Sequence, residues 1–174
     1  MKKTFIAIAS TAALMLAASV SDFAQDTSSE LLRQIKAMGA AKVEYLYKVK
    51  TESKPSVEMT GWAEIQDNLW KDINSDGSEF YCDGSSLWYK FSGEVQISKV
   101  NPNATDPVHN IQAFIAKSTL TKAANGNKLL SLEQNGTVMT LEIKSMKKIP
   151  LKEKSYYVLD TSKLGDDYYV TDLR

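Results

Sequence analysis

The chain has one cysteine and one histidine, Cys82 and His109. A lone cysteine excludes an intramolecular disulfide, and a lone histidine removes most zinc sites and any HExxH helix. Charge of one sign is missing as well: 21 lysines and arginines face 21 aspartates and glutamates. That balance argues against a nucleic-acid partner, which calls for a basic face, and no basic helix points to an anionic membrane surface. GxGxxG, P-loop and GxSxG signatures are absent, as are internal repeats, low-complexity tracts and linkers. With 174 residues, 43% of them hydrophobic, the chain has one-domain length and enough apolar side chains for a core.

The N-terminus reads differently from the rest. In "MKKTFIAIASTAALMLAASVSDFAQ" two lysines precede an apolar, small-residue run from Phe5 to about Val20. This is the pattern of a secretory signal, too short to favour a membrane anchor. Cleavage is expected after Ala24, with a cut after Ser19-x-Ser21 as the alternative. Residues 1–24 are then the signal and 25–174 a single domain. Losing Lys2, Lys3 and Asp22 takes the 21 basic and 21 acidic residues to 19 and 20. No cysteine near the end of the signal offers a site for lipidation. The expectation is a soluble protein released into a bacterial periplasm, held together by its core without a disulfide.

"SSELLRQIKAMG" predicts a short helix. Ser28 or Ser29 caps it, Leu31, Leu32, Ile35 and Met38 make its apolar stripe, and Gly39 ends it. The period then changes to two. In "AKVEYLYKVK", Val43, Tyr45, Tyr47 and Val49 share one face. In "VEMTGWAEIQ", Val57, Met59, Gly61, Ala63 and Ile65 do the same. "NLWKDI" is the next strand and "NSDGS" a turn, while "EFYC" and "SLWYKF" flank a tight turn at Asp83-Gly84. Ser92-Gly93 leads into "EVQISKV". Pro107 begins a second helix capped by Asp106, with Ile111, Phe114 and Ile115 as its stripe. "STLTKA", "NKLLSLEQ" and "GTVMTLEIKSM" are strands separated by Asn125-Gly126 and Asn135-Gly136, and the C-terminus adds one or two more. Nine to eleven strands with two inserted helices predict a mainly antiparallel α+β fold, a curved sheet or barrel.

"FYCDGSSLWYKF" poses the functional alternative most sharply: a reactive thiol among aromatics, or a hairpin facing something apolar. A Cys82–His109 dyad amounts to only two residues of the right type, far apart in sequence. A buried Cys82 and a surface His109 fit the pattern better. "DINSDGSEF" places Asp72, Asn74, Asp76 and Glu79 close together but lacks the full calcium-loop pattern, so a plain turn is favoured. No catalytic residue, metal site or cofactor is expected. What is plentiful is large apolar side chains: three Trp, eight Tyr, five Phe and six Met. They serve either an ordinary core or an apolar cavity that the sheet bends around.

The order of Gly61, Ile65-Gln66, Asp83-Gly84, Leu87-Trp88-Tyr89, the Pro107 helix and the terminal "DLR" resembles the LolA-type outer-membrane lipoprotein carriers, in particular their Bacteroidetes branch. The resemblance spans roughly the whole mature chain. It implies an unclosed, strongly curved β-barrel whose short helices form a lid over a hydrophobic cavity. It also implies a shuttle that takes acylated lipoproteins from an inner-membrane release complex to an outer-membrane acceptor, as a monomer. If the Tyr45 face is concave, Val43, Tyr45, Tyr47, Met59, Ala63 and Ile65 line the cavity. Trp88 is then at its wall or mouth, and Leu31, Ile35, Ile111, Phe114 and Ile115 belong to the lid. The family's lid-locking arginine on an early strand has no counterpart, because no arginine stands between Arg33 and Arg174. Two other readings stay open: a lipid or lipoprotein sensor or protein-binding module on the same fold, and a thiol enzyme using Cys82.

Overall fold

The computed structural model describes residues 28–52 and 54–174. The signal-like segment and both expected cleavage points lie outside the described residues. Helix α1 is described over 28–38, and its N-cap lies at the edge of the described residues. It stops at Gly39, whose positive φ of 75° suits a residue without a side chain. The chain then enters β1 (Ala41–Thr51) and β2 (Lys54–Gln66). Four more strands follow: β3 (Leu69–Asn74), β4 (Glu79–Cys82), β5 (Ser86–Phe91) and β6 (Glu94–Lys99).

Helix α2 (Pro107–Lys117) begins as expected, with Asp106 accepting a hydrogen bond from the His109 backbone N–H and proline in the first turn. It leaves helical geometry at Asn110 (φ −160°, ψ 83°). The Asn110 side chain accepts from the Ala113 N–H at 2.9 Å and so restarts the helix that carries Ile111, Phe114 and Ile115. Strands β7 (Thr119–Lys122), β8 (Lys128–Gln134) and β9 (Thr137–Lys148) complete the meander. The Asn135-Gly136 turn between β8 and β9 has positive φ at both residues, as a two-residue hairpin requires.

With β10 (Tyr169–Asp172) at the C-terminus, the ten strands form one sheet in the order β10-β6-β5-β4-β3-β2-β1-β9-β8-β7. β7 and β10 sit at opposite ends, so the sheet is not closed. All pairings are antiparallel except that of β10 (Tyr169–Asp172), which lies parallel to β6. The C-terminal segment, expected as one or two strands, contributes this one plus two 3₁₀ turns, Lys154–Tyr157 and Thr161–Lys163. Residues from β4 and β5 at one side and β7 and β8 at the other meet the two helices in a single cluster, so the sheet curls around them. One local cause is a bulge in β9: Glu44 pairs with Ser145 and Tyr45 with Ile143, which leaves Lys144 over.

Strand alternation gives the sheet two faces with different covers. The inner face presents Val43, Ala63, Trp70, Phe80, Leu87 and Leu141 to α1 and α2. The outer face carries Tyr81, Trp88, Val95 and Ile97, packed under Val158, Leu159, Leu164 and Tyr168 of the C-terminal segment.

Candidate functional site: the inner face and its two helices

Cross-strand register assembles the inner face. Ala41 pairs with Ile65, Val43 with Ala63, Tyr45 with Gly61 and Tyr47 with Met59. Val43, Tyr45, Tyr47, Ala63 and Ile65 are all buried in the inner cluster, and Met59 packs against it half-buried. The expected lid residues Leu31, Ile35, Ile111, Phe114 and Ile115 are buried in the same cluster. Trp88 is not. Its strand places Leu87 and Tyr89 inward and turns Trp88 outward to pair with Tyr81 and Ile97. The expectation that Trp88 walls the cavity is therefore corrected: alternation in "LWY" gives Leu87 and Tyr89 that face.

The helix side chains fill most of the space they cover, with Phe114 fully buried. An opening of about 320 Å³ remains between α1, α2 and the β2–β3 turn, near the lower end of the size of small-molecule sites. Its apolar walls are Leu32, Ile35, Ile65 and Ile115, and Arg33, Lys36 and Gln112 stand at the rim. Few polar contacts hold the helices down. Ser28 Oγ donates to the Ser118 carbonyl at 2.7 Å, Lys128 Nζ to Gln34 Oε1 at 3.1 Å, and Gln112 Nε2 to the Asp67 carbonyl. In the stretch leading into α2, Thr105 Oγ1 donates to Gln134 Oε1 at 2.7 Å.

Sequence reasoning missed the polar residues of this face. Asp72 and Asn74 follow Trp70 at alternate positions of β3, so all three side chains turn inward. That spacing could have found them, but the acidic run they belong to reads as the start of a turn. The Tyr45 hydroxyl lies 2.6 and 2.7 Å from the two Asp72 carboxylate oxygens and 3.0 Å from Asn74 Oδ1. Burial pushes the Asp72 carboxyl up to about 7, against the lowering effect of the hydrogen bond from Tyr45 and of the nearby Asn74 side chain. Burial also raises the Tyr45 phenol, and the Asp72 charge adds to it. Gly61 makes the cluster possible: a Cβ there would lie 2.5 Å from Asn74 Oδ1 and 2.8 Å from the Tyr45 hydroxyl.

The remaining candidates separate. Asp76 accepts from the Ser78 N–H at 2.9 Å and from its hydroxyl at 2.6 Å, closing an ordinary turn. Among the described residues no His, Cys, Asp and Glu group could hold a metal. Cys82 is 1% exposed. Burial raises its thiol, only partly offset by the Gly84 N–H, so the nucleophilic thiolate is disfavoured. His109 engages Asp106 instead, at 2.6 Å through Nδ1, and that hydrogen bond raises its imidazole. No helix among the described residues is long and apolar enough to cross a membrane.

No family model matches the chain, and no curated protein matches it. Solved structures similar to it include a LolA superfamily protein from Nitrosomonas europaea. That match has 9% identity and a TM-score of 0.47, and covers 71% of this chain and 91% of that one. Another is a DUF1329 family protein from Desulfovibrio piger, with 6% identity, a TM-score of 0.43, and coverage of 82% and 99%. Likenesses this distant carry no argument about what the chain does.

Proposed function

We propose that the protein is a periplasmic carrier that binds the acyl chains of lipoproteins on the inner face of the sheet and shuttles them from the inner to the outer membrane. The supporting observation is how that face is covered. A largely apolar surface from Leu87 to Leu130, interrupted at Asp72 and Asn74, is closed by two short helices with few polar ties and an apolar gap between them. Acyl chains take the place of the helix side chains as α1 swings about Gly39 and α2 about its ends. Each CH₂ withdrawn from water contributes about 0.8 kcal/mol, so a long chain outweighs the loss of such ties. Residues 1–24 serve as the export signal. A membrane release complex and an outer-membrane acceptor are the partners, and the carrier works as a monomer without a cofactor.

A protein-binding role on the same fold is favoured by one feature, the exposed Tyr169, Val170 and Leu173 at the β10 end of the sheet. Native mass spectrometry of protein purified gently from the cell envelope separates the two. Adducts with the mass of acylated species are expected. A lipid-free protein that also fails to bind a fluorescent fatty acyl probe would rule out the carrier.

A further inference from the structure

The polar cluster on the inner face lacks hydrogen-bond donors. Asp72 is 1% exposed and Asn74 6% exposed, and Asp72 forms no ion pair with lysine or arginine among the described residues. Two carboxylate oxygens and Asn74 Oδ1 surround the Tyr45 hydroxyl, which has one proton to give. Asn74 Nδ2, the other donor group, is buried without a partner. A buried carboxylate with so few donors is costly wherever it serves only the fold. Near neutral pH a proton supplies the missing donor part of the time, since the Asp72 carboxyl titrates at about 7.

The cluster is also within reach from outside. β3 ends at Asn74 while β2 runs on past Gly61 to Lys54, which leaves a corner in the sheet. A groove of about 400 Å³ opens there, lined by Tyr45, Gly61 and Asn74 on the cluster's side and by Glu44, Trp62 and Ile73, which alternate to the outer face, with Lys144 on the other. An unpartnered, buried amide and an acceptor-rich carboxylate thus stand on the face proposed to hold acyl chains, at the sheet corner where the amide and the Tyr45 side chain meet a groove that a ligand's polar end can enter.

We propose that Tyr45, Asp72 and Asn74 form an anchor for the polar head of an acyl ligand, selecting chains that carry an amide N–H or a hydroxyl next to the head over those that end in a bare ester. The anchor rests on the carrier reading. A donor from the ligand completes the carboxylate's hydrogen bonding and takes the place of the proton. The same contact fixes how deep the chain sits, because the neighbouring inner-face residues Val43, Met59 and Ala63 offer only apolar side chains.

Calorimetric titration of the purified protein with three probes tests this: N-palmitoylglycine methyl ester, methyl 3-hydroxypalmitate and methyl palmitate. At least one donor-bearing probe is expected to bind about tenfold more tightly than methyl palmitate, the effect of one hydrogen bond to a buried charged group. Preference for the amide alone assigns an N-acylated head, and preference for the hydroxyl alone assigns a hydroxyacyl chain. The preference is expected to disappear in Asp72→Leu and to shrink at least twofold in Asn74→Ala, the second variant covering a failure of the first to fold. Equal affinities for all three probes, or an unchanged preference in both folded variants, overturn the anchor and leave the carrier reading in place. Failure of every probe to bind overturns both.

Discussion

The two faces of the sheet are covered by the same kind of apolar packing but fastened in different ways. On the outer face the C-terminal segment is tied by backbone. Gln66 makes two hydrogen bonds to the main chain of Lys152, at 2.8 and 2.9 Å, and β10 adds a parallel pairing to β6. Lys71 lies over the rings of Tyr81 and Tyr156, 4.9 and 5.1 Å from their centroids. On the inner face two helices rest on apolar contact and a few side-chain ties, with a gap between them and a donor-poor polar cluster beneath. A cover fastened by backbone is a fixed part of the fold, whereas a cover held mainly by burial can exchange one apolar partner for another.

Truncating one large residue on each face tests that difference most strongly. Trp88→Ala and Phe114→Ala each remove a buried aromatic and should each lower stability by about 3–5 kcal/mol in urea unfolding. Their effects on acyl binding should diverge. Phe114 occupies the space proposed for the ligand, so its loss weakens the closed state and raises apparent affinity by raising the binding-competent fraction. Trp88→Ala should leave the affinity of the folded protein for an acyl probe unchanged. Equal effects on binding would abolish the distinction between the faces.

Asp72 sharpens the comparison through pH. Its carboxyl titrates at about 7 in the folded protein against an ordinary value of 3.8, with burial as the cause and Asp76 adding in the same direction. Between those values the native state binds more protons than the unfolded chain, so the contribution of Asp72 is fully present below about pH 4 and is lost as pH rises through 7. The loss amounts to roughly 4 kcal/mol. Asp72→Asn keeps a partner for the Tyr45 hydroxyl but does not titrate. Its stability relative to the unaltered protein should therefore rise from pH 4 to pH 8, as read by urea midpoints. Taking the difference removes groups common to both proteins, such as Asp83, which hydrogen bonds from Ser86 and Ser85 hold at about 2 despite partial burial. A flat or falling difference would remove the buried-carboxylate argument.

The inner face was the more legible of the two in the sequence. Alternation in "AKVEYLYKVK" and "VEMTGWAEIQ" and the helical stripes are local signals, and the structure gathers most of the large apolar residues they pointed to into one cluster, with Val57 left exposed. Trp88 was misplaced because both faces of β5 are apolar: Leu87 and Trp88 are both buried, so hydrophobicity does not say which way each points. The outer cover was illegible for a related reason. Parallel pairing of β10 with β6 joins Tyr169 to Glu94 across a long stretch of chain, and no turn motif announces it. Asp72 was legible by parity with Trp70, but acidic residues near Gly77 suggested a turn, and the polar cluster went unread.

The smallest expected effect concerns single fastenings. Gln66→Ala removes two hydrogen bonds from the strap and Gln112→Ala one from the helix cover, each bond contributing about 1 kcal/mol net. Gln66→Ala should speed hydrogen exchange in 152–158 without altering acyl affinity, because the strap lies on the face away from the proposed ligand. Gln112→Ala should lower global stability by no more than about 1 kcal/mol, the contribution of one exposed hydrogen bond. It should nonetheless raise acyl affinity about two- to fivefold, because even a fraction of a kcal/mol lost from the closed state multiplies the open population. The opposite pattern, with acyl affinity following Gln66 and not Gln112, would mean that the strap is the moving part and the helices the fixed one.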